Sequence, residues 1–311
     1  MSPLVNNAGE AIFLAPFVST FLHDACSAIF AWIFNGVRSQ LPSVFKALFK
    51  TKSGKWVVVA AVIGGPVGMT GYVMAVTYMG ASIAAIASAI FPAIGSVLAY
   101  IFLKERMKWY QWIFLGLTIL GVYGLSYSTD LSPRNYLLGI LGALMCAFGW
   151  GIEAVILAKC LKDPEVKDEY ALQIRQTTSA IVYGIVILPI LGLMGFAEGG
   201  LKPWNFTISL FHGTGWLLPT IAIAGLFATV SYLFYYKAIS SIGASKAMAL
   251  NITYTAWAMI FALVYDLILH LSDASHAIAY PSPLTILCAA VVLVCSIFAA
   301  ADFKEIFKKK S

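Results

Sequence analysis

Nine apolar stretches follow one another along this chain with little polar sequence between them. Each is close to the roughly 20 residues that a helix needs to cross the hydrocarbon core of a bilayer. They run over about 9–36, 55–79, 81–103, 109–127, 135–161, 170–196, 215–239, 243–268 and 282–301. Inside a bilayer, backbone amides have no water to bond, so such stretches must satisfy themselves as helices. The sequence therefore predicts an all-α integral membrane protein. Composition agrees: 60% of the 311 residues are hydrophobic and only 11% charged, with a mean hydropathy of +0.86. Soluble domains are about half apolar and a quarter charged. The connections are short. The longest, 197–214, is too small for a domain of its own.

The basic residues are sorted between alternate connections. One set holds Arg38, Lys46, Lys50, Lys52, Lys55, Lys104, Arg106, Lys108, Lys159, Lys162, Lys167, Lys237, Lys246, Lys304, Lys308, Lys309 and Lys310, leaving Arg134 and Lys202 in the other. Lysine and arginine are retained on the cytoplasmic side of a membrane, so the first set is expected to face inward with the C-terminus. The net charge of +6 then reflects topology, and no basic face for nucleic acid is seen. The cluster Lys104, Glu105, Arg106 and Lys108 reads as a topology anchor. Nine spans with an inward C-terminus put the N-terminus outside, although the first ten residues have no basic start of the signal-peptide kind. A further helix ahead of residue 1 is the simplest expectation.

The two halves also resemble each other. "YVMAVTYMGASIAAIASAIF" from Tyr72 aligns with "YYKAISSIGASKAMALNITY" from Tyr235, matching Gly80-Ala81-Ser82 with Gly243-Ala244-Ser245. On the assigned topology these turns face opposite sides, so the repeat is inverted, a plan typical of secondary transporters with a midplane site. The repeats are read as 1–128, with four helices and no leading one, and 135–303, with five. Gly64-Gly65-Pro66 and Gly68 should bend or break the span from 55.

This ten-helix, five-plus-five inverted plan resembles the drug/metabolite transporter superfamily in its EamA branch. The stretches "GGPVGMTGYVMAVTYMGAS", "FGWGIEAVIL", "QIRQTTS" and "LNITYTAWAMIF" are similar to those of the bacterial choline importers within it. The likeness runs from about residue 10 to 300. It implies a multi-pass protein of the cell membrane that moves a small organic cation such as choline. It also implies that Asn251, Tyr254 and Trp257 lie by the substrate, and that the family's first helix is absent here. Amino-acid, polyamine and drug carriers share the plan, and a short non-transporting remnant is the other alternative.

The polar residues inside the spans carry the chemistry. A mid-span carboxylate such as Glu153 costs about 2.5–3.5 kcal/mol on insertion scales, so it normally faces a cavity or a partner. Trp150 lies three residues earlier on the same helix face, with Gly149 and Gly151 read as leaving room beside the indole. An indole face beside a carboxylate suits an organic cation; the structural alternative is an ion pair with Arg175. Asn251, Tyr254 and Trp257 form one stripe, otherwise ordinary packing. His23 and Asp24 are candidates for proton coupling, or else a self-satisfied pair locking two helices. Tyr72 and Met69, beside the glycine–proline stretch, are candidate cavity lining. Arg175 could snorkel to the cytoplasm, gate the inner mouth, or pair with Glu153 or Asp24. Tyr232 and Tyr236 read as interfacial aromatics.

Other classes find less support. His23, His212, His270 and His276 are scattered, and no metal-ligand or catalytic motif appears. Five separated cysteines give neither a disulfide framework nor a metal spacing. No phosphate-binding loop for an ATP-driven pump is present. The expected partners are a small cationic solute and the lipid bilayer, with protons a candidate second solute; no cofactor, metal or nucleic acid is expected. Nothing in the sequence sets the oligomeric state.

Overall fold

The computed structural model describes residues 14–127, 135–197, 200–213, 217–272, 277–278 and 280–302. Glu10, Arg134, His276 and the C-terminal lysines from Lys304 lie outside them. Fifteen α-helices follow in order. The first half holds α1 (Ala15–Val37), α2 (Leu41–Lys50), α3 (Lys52–Val62), α4 (Gly68–Met79), α5 (Ala81–Ser88), α6 (Phe91–Leu103) and α7 (Trp109–Ser126). The second holds α8 (Tyr136–Cys160), α9 (Asp168–Val182), α10 (Leu188–Leu193), α11 (Pro203–Gly213), α12 (Leu217–Ile242), α13 (Ala244–Asn251), α14 (Tyr254–Ser272) and α15 (Pro283–Ala300).

Among the described residues, eight helical stretches are long and apolar enough to cross a membrane, counting α3–α4, α5–α6, α9–α10 and α13–α14 as one each. The ninth stretch read from sequence, 109–127, is the 18-residue helix α7, which packs along α15 and is not one of these eight. Many large apolar side chains point outward, Leu193 at 87% and Leu271 at 86% exposure among them. Such a belt suits lipid and would be an aggregation liability in water. Two helices lie in connections that the sequence reading left irregular. One is α2, whose Val44 and Ala47 are buried against the bundle. The other is α11, anchored by the Trp204 indole donating to the Gly184 carbonyl at 3.1 Å.

Several spans are interrupted, each for an identifiable reason. Ile63–Val67, with Pro66 inside it, is a π-helical turn between α3 and α4. Proline lacks an amide to donate, which frees a carbonyl from the ladder. Tyr183–Ile187 is a second π turn, placed just ahead of Pro189. The spans read as continuous over 81–103 and 243–268 are each broken by a two-residue step, Ala89–Ile90 and Ile252–Thr253. Pro92 starts α6 after the first step. At the second, the Thr253 and Thr255 hydroxyls donate to the Leu250 and Ile252 carbonyls.

The two steps at Ala89–Ile90 and Ile252–Thr253 follow the sequence repeat. Gly80 and Gly243 have nearly the same backbone, φ 88° ψ 159° and φ 88° ψ 165°. That region favours glycine because it has no Cβ. At the same spacing Ser88 falls on Asn251 and Phe91 on Tyr254, so helix break coincides with helix break. The closing helices of the halves, α7 and α15, pack on each other. Helix α8 lies between α3–α4 and α6 through close glycine crossings. A Cβ on Gly71 would stand 2.6 Å from the Gly142 carbonyl oxygen, and one on Gly151 would stand 3.1 Å from the Gly95 nitrogen. Gly149 meets the Gly68 backbone in the same way. Gly149 and Gly151 thus serve helix contact rather than making room for the indole, since small residues let membrane helices approach.

Candidate functional site

A cavity of about 260 Å³ lies among α1, α6, α8, α9, α12 and the α13–α14 break. Its lining includes His23, Trp150, Glu153, Arg175, Asn251 and Tyr254 from the residues singled out in the sequence. It also includes Phe91, Tyr232, Tyr235 and Tyr236.

Its charged wall is a buried network. Arg175 Nε donates to Glu153 Oε1 at 2.9 Å, and Arg175 Nη1 reaches Asp24 Oδ2 at 3.4 Å and Gln176 Oε1 at 2.7 Å. Ser179 Oγ donates to Asp24 Oδ2 at 2.5 Å, and His23 Nδ1 lies 3.0 Å from Asp24 Oδ1. Arg175 is 2% exposed, Asp24 3% and Glu153 8%, so solvent screens them little. Of the sequence alternatives for Arg175, the structure shows the pairing: the side chain does not snorkel, but bridges both carboxylates. Counting His23 as neutral, two carboxylates and one guanidinium leave the cluster with a single net negative charge. Neutralising that charge needs one monovalent cation or one proton, since an uncompensated buried charge is costly.

The aromatic wall is equally fixed. The Trp150 indole donates to the Gly64 carbonyl at 3.1 Å, a carbonyl at the π turn of the first half. Tyr72 stacks on Trp150 with centroids 5.9 Å apart, and Phe91 meets it edge-on at 5.7 Å. Tyr72 therefore backs the tryptophan instead of lining the cavity, and Met69 packs into a neighbouring apolar cluster with Phe17 and Tyr183. Tyr232 lies under Arg175, 5.1 Å from guanidinium carbon to ring centroid. Tyr236 is 1% exposed, and its hydroxyl has no hydrogen-bond partner among the described residues. Both tyrosines line the cavity, so the reading of them as interfacial aromatics is corrected: α12 packs its tyrosine face inward, onto Arg175.

Asn251 and Tyr254 sit at the cavity's side, where a lateral groove of about 540 Å³ adjoins it. Trp257 lies in that groove, 47% exposed and next to Phe261, and not in the cavity. The stripe Asn251–Tyr254–Trp257 is thus divided within α14: Tyr254 at its start lines the cavity, and Trp257, one turn further on, lies in the groove.

Sequence reasoning missed Phe91 and Tyr235. Both could have been found from the repeat: Phe91 is the counterpart of Tyr254, and Tyr235 of Tyr72. It also missed Glu105, read only as part of a charge cluster. The Glu105 carboxylate accepts from the Ala244 and Ser245 amides at 3.1 Å each, and from the Ser245 hydroxyl at 3.0 Å. It closes the first turn of α13, where amides lack partners within the helix. This contact joins the two halves at the lysine-rich end of the molecule. No group of three or more potential metal ligands occurs among the described residues.

A bundle of broken membrane spans around a buried charged cavity is an arrangement that secondary transporters use for their solute sites. Residues 7–127 match the model of the EamA-like transporter family. The chain is 29% identical over 241 residues to Protein LicB of Haemophilus influenzae, an alignment covering 77% of this chain and 74% of that protein. A protein of known crystal structure shares the fold, with a TM-score of 0.62 over 92% of this chain and 88% of its own at 16% identity.

Proposed function

We propose that this protein is a secondary transporter for a small quaternary ammonium solute such as choline, taken up across the cell membrane by alternating access. One observation carries the reading: a buried acidic cluster, one negative charge in excess, faces a cavity walled by Trp150, Phe91, Tyr232, Tyr235 and Tyr254. A permanently charged ammonium has no proton to donate, so it is held by aromatic faces and a counter-charge rather than by hydrogen bonds. Glu153 supplies the charge and Trp150 the fixed indole. Asn251 and Tyr254 form the side of the site, and Trp257 the outer wall of the adjoining groove. The repeats 1–128 and 135–303 rock about this centre, and the lysine-rich end faces the cytoplasm together with the C-terminus. Asp24 and His23 hold the second carboxylate and a titratable partner, and a proton is the alternative neutralising charge.

The test is labelled choline uptake in cells lacking their own choline carrier. Uptake that is saturable, blocked by unlabelled choline and lost in Glu153→Gln supports the proposal. Well-expressed protein with no uptake and no choline-dependent stabilisation rejects choline, as would uptake undiminished in Glu153→Gln.

A further inference from the structure

Resting on that reading, we infer that Arg175 is a resident substitute for the transported cation. In the solute-free molecule its guanidinium fills the place beside Glu153, and so it lets the empty carrier turn around. Three observations converge. Arg175 Nε sits 2.9 Å from Glu153 Oε1 while the same side chain lines the cavity. A second carboxylate, Asp24, stands 3.4 Å from Nη1, giving the guanidinium somewhere to go when a solute takes its place. Tyr232 lies beneath the guanidinium, its ring centroid 5.1 Å from the guanidinium carbon.

The physical need is plain. When the empty carrier passes between its two open states, Glu153 is closed off from water with no solute beside it. A buried carboxylate left alone is strongly disfavoured, so a carrier without a substitute would stall until a cation reloaded it. Such a carrier exchanges solute for solute but carries little net flux. With Arg175 present, Glu153 is compensated in both halves of the cycle. An arriving ammonium meets a positive group, so Arg175 must lean toward Asp24 and Ser179 before Glu153 is free. Arg175 is a positioning residue here: it acts on the solute through Glu153.

The experiment compares two assays in liposomes containing the purified full chain. Net uptake is measured into choline-free vesicles, and exchange into vesicles preloaded with unlabelled choline. Arg175→Gln is expected to lower the ratio of net uptake to exchange by about tenfold or more, since the empty centre then holds two uncompensated carboxylates while the loaded one still has a cation beside Glu153. Arg175→Lys keeps the charge and should recover most of that ratio. Should Arg175→Gln fail to fold, pairing it with Asp24→Asn removes the surplus carboxylate, and the same drop in ratio is expected. A ratio unchanged from wild type overturns the inference. So does loss of exchange together with net uptake in a protein that melts like wild type. If wild-type protein neither exchanges nor accumulates choline, the choline reading itself fails instead.

Discussion

Trp150 is held by three independent constraints: its indole N–H donating to the Gly64 carbonyl, Tyr72 on its face and Phe91 at its edge. They separate two contributions by mutation. Trp150→Leu removes the ring and should weaken choline binding by roughly thirtyfold, from a cation–π contribution of about 2 kcal/mol when desolvated. Trp150→Phe keeps a ring but orphans the Gly64 carbonyl, at a cost of about 1 kcal/mol, or roughly fivefold. Calorimetric titration with choline tells them apart, and equal losses in the two variants would remove the indole from the site. Gly64 is constrained from the same side, because a Cβ there would fall on the Glu153 carboxylate. Gly64→Ala should therefore lower both the melting temperature and choline-dependent stabilisation. A variant unchanged in both would contradict the observed packing. At this scale the sequence was partly legible. A charged residue in an apolar span announces itself, so Glu153, Asp24 and Arg175 stood out, and spacing placed Trp150 beside Glu153. Their mutual pairing was one alternative among several in the sequence, because α1, α8 and α9 come together only through tertiary packing. Nor was the inward face of α12, since a tyrosine near a span's end looks the same whether it meets lipid headgroups or a buried arginine.

Among the elements, the helices themselves were written in hydropathy and their interruptions in part by glycine and proline. Gly64-Gly65-Pro66 foretold the π turn, whereas the break after Asn251 has no proline and rests on threonine hydroxyls. Trp257 leaves the cavity one turn into α14, beyond that break, so helical spacing alone did not show where along the stripe the cavity ends. The crossing of α4 on α8 yields a sharp expectation. Gly71→Val would press a branched side chain onto the Gly142 carbonyl and the Met145 side chain. Overpacking of this kind costs about 1–3 kcal/mol, readable as a lower thermal midpoint. The same substitution at Gly116, where nothing lies within 4 Å, should be tolerated.

For the molecule as a whole, the contact of Glu105 with α13 is a bond between halves that must part if they rock. Glu105→Ala should leave choline binding intact while shifting the resting protein toward the state open at the lysine-rich end. Labelling of a cysteine introduced at Ser240, in a background without the five native cysteines, would report that shift as faster modification. Unaltered labelling would mean that the contact does not gate. Cysteines at positions 105 and 245, joined by a short bifunctional thiol reagent, should abolish uptake and spare binding; uptake persisting after bridging would rule out parting of the halves there.

The single surplus charge around Glu153, Asp24 and Arg175 also decides where voltage acts. Carrying a monovalent cation, the centre crosses as an electrically neutral unit, and an electric field does little to that step. Empty, it returns with one negative charge, which an inside-negative potential drives outward by up to about 2.3 kcal/mol per 100 mV. The proposed cycle is therefore electrogenic through its unloaded half. Depolarising the membrane would slow maximal turnover, and a voltage-clamped vesicle would show a current whenever choline is saturating.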